Sequence, residues 1–174
     1  MKVSVPSART SQSPGARARL GARQPWISLA ARIVLAGVFA AAGWPKLLDP
    51  DGTVRSVRAF RLVPEAFVPA FGYGLPVLEL ALAALLLAGL LTRPAAAVTA
   101  VLLVVFLVGI ASAWARGLQI ECGCFGSTGT VPANPVPGYI ADLVRDVIFL
   151  ALAAWLVRRP DTPFSADRAL GLSR

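Results

Sequence analysis

The chain of 174 residues is 56% hydrophobic and 15% charged, with no histidine and a net charge of +8 at neutral pH. Soluble domains carry about 25% charged residues, so this composition excludes an ordinary water-soluble globule and points to one membrane-embedded unit. The basic residues gather in the tails, where they set topology and meet anionic head groups of membrane lipid, so nucleic acid is not an expected partner.

Residues 1–25 are rich in Ser, Pro, Gly and Arg and hold almost no large apolar side chain, which predicts a disordered tail. The first apolar segment runs from Trp26 to Gly43. A signal peptide cleaved after Ala40-Ala41-Ala42 is one reading, but the run is long for that role and Arg32 interrupts it, which favours a retained helix. Trp44 to Gly52 breaks the run, with Trp44 and Lys46 suited to the membrane–water interface. Val54, Val57 and Phe60 then recur every third residue beside Arg55, Arg58 and Arg61. That pattern predicts an amphipathic helix, lying on the membrane surface or packed on the rim of a bundle.

A second apolar segment, Gly72 to Leu91, carries the single carboxylate Glu79, and Thr92-Arg93-Pro94 makes a tight connection. The third, Ala95 to Ala115, has no charge and is long enough to cross the hydrocarbon core at about 1.5 Å per residue. Gly117 to Gly138 is a Gly/Pro-punctuated loop, and Tyr139 to Val157 is a fourth segment, polar at its start. Arg158-Arg159-Pro160 ends it, leaving residues 158–174 as a second polar tail. Backbone groups in lipid must pair within their own segment, so four such segments predict four helices. The expected fold is therefore all-α, a polytopic membrane four-helix bundle over residues 26–157 with a short amphipathic interfacial helix.

With four crossings, the tails and the 92–94 turn share one side, and the 44–71 segment and the long loop share the other. Outside Arg32 and Arg145, Lys and Arg count ten on the first side against five on the second. The excess places both termini in the cytoplasm and the long loop on the outer side of the plasma membrane.

That loop contains both cysteines of the chain, in Glu121-Cys122-Gly123-Cys124-Phe125-Gly126. Outside the cytoplasm thiols can be oxidised and disulfides persist. Residues i and i+2 can reach the roughly 4.4–6.8 Å Cα separation of a disulfide, with Gly123 supplying the backbone freedom. Such a bond is strained and labile, suited to exchange, and encloses too little chain to stabilise the fold. Two other uses remain open: half of a tetrahedral zinc site, for which histidine ligands are lacking, or two free thiols.

Depth counting places Glu79 about one turn below the outer surface. Asp142, Arg145 and Asp146 lie at a similar level on one face of the fourth helix, and Lys46 ends the first. Five ionisable groups are thus expected just beneath the loop. They suit an ion-pair network holding the helices in register, or a cation (Arg145 or Lys46) that stabilises a thiolate and helps move protons. Arg32, roughly 21 Å deeper along the same helix than Lys46, is expected to snorkel to the cytoplasmic face.

The segment Cys122-Gly123-Cys124-Phe125-Gly126 between two membrane helices resembles the methylamine utilisation protein MauE family, itself grouped with DoxX-like membrane proteins. Ala42-Gly43-Trp44-Pro45-Lys46-Leu47, Phe60-Arg61-Leu62-Val63-Pro64, Pro76-Val77-Leu78-Glu79-Leu80 and Arg145-Asp146 are similar to further elements of that group. The resemblance covers about residues 26–157 and implies a redox-associated membrane protein that helps mature disulfide-rich exported proteins, such as the small subunit of methylamine dehydrogenase. A likeness in outline to vitamin K epoxide reductases raises a quinone cofactor, but those enzymes relay electrons through a second cysteine pair that this chain lacks. The expected activity is thiol–disulfide exchange through Cys122 and Cys124 with an exported cysteine-containing protein or a thioredoxin-like partner. The alternative is a non-enzymatic assembly or transport factor whose cysteine loop docks a partner.

Overall fold

A computed structural model describes residues 14–120 and 136–171. Every regular element among them is helical: α1 (Pro14–Leu48), α2 (Pro50–Phe60), a single 3-10 turn (Glu65–Phe67), α3 (Val68–Ala88), α4 (Thr92–Ala115), α5 (Val136–Arg158) and the short α6 (Ala166–Ala169). Stretches of α1 (Gln24–Leu48), of the turn with α3 (Glu65–Ala88) and of α4 are each long and apolar enough to span a membrane. α5 matches them in length and carries Asp142, Arg145 and Asp146 in its first half. The protein is an all-α polytopic membrane bundle in which α1 packs on α3 and α5, and α4 packs on α5 and α3.

α1 reaches beyond the expected segment at both ends. Residues 14–25, expected to belong to a disordered tail, are helical; Ala, Arg and Leu are good helix formers, and Pro14 sits in the first turn, where a missing N–H costs nothing. Residues 1–13 of that tail lie outside the described residues.

The outer faces of the long helices are as apolar as the interior. Leu87, Val101, Val105, Val108 and Val147 are exposed, while the shared core is built from Ala31, Leu35, Ala36, Phe39, Leu82, Ala83, Leu86, Ala96 and Leu103. Small residues on the inner faces let backbones approach where lipid offers no hydrophobic drive to associate. α2 starts with Asp49, whose Oδ1 accepts from the Gly52 N–H at 2.9 Å, ahead of Pro50 in the first turn. It buries Gly52, Thr53 and Val54 against α3 and leaves Arg55 and Arg58 exposed, so the amphipathic helix is packed on the bundle rim.

The C-terminal tail forms a strap at the opposite end of the bundle from Lys46. Thr162 and Ser165 are buried, and Ser165 caps α6 by accepting from the Arg168 N–H. Arg32 donates to Thr162 Oγ1 at 2.7 Å and to the Phe164 carbonyl at 3.2 Å, so it is covered by the strap rather than snorkelling into water. Asp167 accepts from the Leu91 and Thr92 N–H groups at 2.7 and 2.9 Å, capping the start of α4 from a distance in sequence.

Burial pushes the Asp167 carboxyl up, but the N–H groups of Thr92 and Leu91, the Thr92 hydroxyl and the charge of Arg32 outweigh it and hold it below the usual carboxylate range. A depressed folded value means that its contribution is complete above the unfolded value of 3.8 and disappears as pH falls through the folded one. Asp167→Ala is expected to cost about 0.5–2 kcal/mol at neutral pH, as for loss of a helix cap. Thermal unfolding in detergent should show that difference shrinking toward zero in strong acid.

Candidate functional site

The polar residues expected beneath the cysteine loop converge on one level of the bundle, where α1, α3 and α5 meet. Lys46 closes α1, and its Nζ lies 2.6 Å from Glu79 Oε1 on α3, with the two side chains 5% and 1% exposed. Gly43, one turn earlier on α1, makes that approach possible. A Cβ there would lie 3.1 Å from Glu79 Cβ and 3.2 Å from the Pro76 carbonyl, tighter than most packed methyl contacts, so α3 would have to give way. The Lys46 ammonium also stands 5.6 Å from the centre of the Phe106 ring on α4, within cation–π range. α2 is tied to the same corner, since the Thr53 hydroxyl lies 3.3 Å from the Lys46 carbonyl.

On α5, spacings of three and four residues put Asp142, Arg145 and Asp146 side by side. Arg145 Nη1 pairs with Asp142 Oδ1 at 2.7 Å, and Arg145 Nη2 with Asp146 Oδ1 at 3.0 Å. Asp142 and Arg145 remain 21% and 26% exposed, whereas Asp146 is 4% exposed and faces the interior. Glu79, Arg145 and Asp146 then line one cavity of about 20 Å³ together with Phe39, Phe106 and Phe149. All five expected polar residues are therefore brought into one region. Both cations are already matched to carboxylates within it.

The cluster lies deeper along α3 than depth counting placed it. α3 begins at Val68, not Gly72, so Glu79 sits about three turns, roughly 16 Å, from its start. The cause is the 3-10 turn Glu65–Phe67, which feeds the helix directly and carries Pro69 in its first turn, where proline is tolerated.

Cys122, Cys124 and the whole Glu121–Gly126 stretch lie outside the described residues. Their flanks are described, and one side chain ties them together. Tyr139, in the first turn of α5 and 2% exposed, places its Oη 2.7 Å from the Leu118 carbonyl and 3.1 Å from the Ile120 carbonyl. The Ile120 N–H donates back to it at 3.2 Å. A single buried phenol thus pins the segment leaving α4 to the start of α5, on the face of α5 that continues to Asp142 and Asp146. Tyr139 carried no signal in the sequence beyond its place at a helix start, and neither did Phe106, one of many apolar residues on α4. Among the described residues, no group of three or more His, Cys, Asp or Glu side chains is arranged to hold a metal ion.

Over residues 24–159 the chain matches the family described as methylamine utilisation protein MauE. It is similar to the methylamine utilization protein MauE of Paracoccus denitrificans, 37% identical over 134 residues that cover 76% of this chain and 72% of that protein. It is also similar to the proteins of that name from Methylophilus methylotrophus, 39% identical over 101 residues, and Paracoccus versutus, 44% identical over 104 residues. Those two alignments span 53% and 56% of the relatives' own lengths. No solved structure matches the chain.

Proposed function

The chain belongs to the methylamine utilisation protein MauE family, and from that membership we propose that it serves methylamine utilisation by thiol–disulfide exchange at Cys122 and Cys124. In this role it sits in the plasma membrane with both termini in the cytoplasm and the cysteine loop outside. Its substrate is an exported cysteine-containing protein, of the methylamine dehydrogenase small-subunit kind, that must acquire disulfides.

One observation carries the proposal: the matched region encloses a Cys-Gly-Cys pair that is the chain's entire stock of thiols. The Tyr139 contacts that tie Leu118 and Ile120 to α5, and the buried ion pairs of α1, α3 and α5, support the same role, because they fix the described residues on either side of the cysteine segment. In the exchange, a substrate thiolate attacks Cys122 Sγ and the Cys124 thiolate leaves, giving a mixed disulfide. A second substrate thiolate attacks the substrate's own sulfur in that mixed disulfide and releases Cys122. The substrate is oxidised by two electrons to a disulfide, and the Cys122–Cys124 bond is reduced to two thiols. With no other cysteine in the chain to relay those electrons, the pair is reoxidised by exchange with the disulfide of a thioredoxin-like partner.

Thiol trapping in intact cells tests this. Cys124→Ala is expected to accumulate a mixed disulfide between Cys122 and the thioredoxin-like partner, whose disulfide the Cys122 thiolate attacks with no Cys124 left to resolve the product, and Cys122→Ser is expected to abolish substrate oxidation. A chain whose cysteines stay reduced throughout, or a double serine variant with undiminished function, would mean that the loop only docks its partner.

A further inference from the structure

The paired carboxylates account for only half of their own oxygens. Glu79 Oε1 is taken by Lys46 and Asp146 Oδ1 by Arg145, but Glu79 Oε2 and Asp146 Oδ2 are both buried without a hydrogen-bond partner. Both residues line the same cavity, whose other walls include Phe39, Phe106 and Phe149. A buried acceptor left unsatisfied costs about 1–3 kcal/mol, and more when it is charged, so two of them on one cavity call for a shared donor. We propose that this cavity is a binding site for one water and one proton, shared between Glu79 and Asp146.

Size and charge both select that occupant. A cavity of about 20 Å³ holds a single water, which can bridge the two orphaned oxygens. The aromatic and aliphatic remainder of the lining offers no ring of oxygens to replace the hydration shell of a metal cation. Among the described residues, the charged groups in the site, or paired with those that line it, are Lys46 from α1, Glu79 from α3, and Asp142, Arg145 and Asp146 from α5; α4 contributes only apolar side chains to the lining. Two cations stand against three carboxylates, an excess of one negative charge. Arg145 divides its guanidinium between Asp142 and Asp146 and can neutralise only one of them. An uncompensated charge in a buried site is costly, and one proton removes it.

The proton is taken from solvent and forms an O–H bond to one carboxylate oxygen. That group donates to the water, and the water donates to the other carboxylate. Its route is the Asp142–Arg145 edge, the part of the cluster that remains partly exposed. The site goes beyond thiol exchange and does not depend on it: it stores one proton between α3 and α5 and would exist with both cysteines replaced.

Infrared spectroscopy of the full chain in lipid nanodiscs tests the site, in the wild type and in the Cys122→Ser/Cys124→Ser variant. At neutral pH both should show one protonated-carboxyl band that shifts in deuterium oxide. Asp146→Asn should lose it. Asp142→Asn should lose it too, although Asp142 is not among the cavity-lining residues, because that change removes the excess charge and a thermal melt should show the fold intact. The proposal is overturned by the absence of such a band, by its persistence in both asparagine variants, or by its loss when sodium replaces potassium, which would make the cavity an alkali-ion site. Identical spectra with and without cysteines keep this outcome separate from the fate of the thiol chemistry.

Discussion

Glu79→Leu is expected to destabilise the bundle by about 3–5 kcal/mol, the cost of removing one partner from a buried ion pair. The loss is large because the Lys46 ammonium, 5% exposed, would keep its desolvation and lose the carboxylate 2.6 Å away. The face of Phe106 at 5.6 Å is the main remaining compensation, and a cation–π contact offsets about 2 kcal/mol at best. Lys46→Met should be similarly damaging, since it takes from the buried Glu79 the ammonium that pairs with its Oε1. The double variant Lys46→Met/Glu79→Leu should recover most of the loss, because an apolar pair of similar volume needs no desolvated charge. Equilibrium unfolding of the four proteins in mixed micelles gives the coupling directly. Additive single losses would show that the pair does not act as a unit.

Gly89→Ala is expected to release the C-terminal strap. Gly89 ends α3 with φ +66°, a left-handed conformation that costs any side-chain-bearing residue about 1–3 kcal/mol. Space makes it worse: a Cβ there would lie 2.1 Å from Arg32 Nη1 and 2.8 Å from its Cζ. Arg32 cannot withdraw cheaply, because it would abandon Thr162 and the Phe164 carbonyl and remain a buried cation. The readout is trypsin cleavage at Arg168, which should accelerate sharply in Gly89→Ala. Gly37→Ala is the internal control, with nothing within 4 Å of the added methyl and a helical site that favours alanine. Equal cleavage in the wild type and both variants would separate the strap from Gly89.

These two sites mark opposite degrees of legibility. Lys46, Glu79, Asp142, Arg145 and Asp146 stand out in sequence because an ionisable residue in an apolar segment is rare, and counting residues along helices brought them to one level. Counting could not reveal that Glu79 belongs to Lys46 while Asp146 belongs to Arg145, nor that each lines a common cavity and keeps one buried oxygen without a hydrogen-bond partner. The strap was invisible for a different reason. Thr162, Ser165 and Asp167 sit in a short polar tail of ordinary composition, and their partners Arg32, Leu91 and Thr92 are distant in sequence.

By itself the sequence determined the membrane-embedded all-α class, the long helices, the amphipathic α2 and the single thiol pair. Each of these follows from local composition: backbone in lipid must pair within its own segment, and a charge count needs no neighbours. The faces of the helices were decided only by the tertiary structure. In water an apolar stripe points inward, but in a bilayer the lipid-facing Val101, Val105 and Val108 are as apolar as the buried Leu103 and Ile110, so periodicity carries no inside and outside. Which carboxylate meets which cation, which phenol pins the loop and which tail residue caps α4 depend on side chains meeting across helices. No property of a single segment records those meetings.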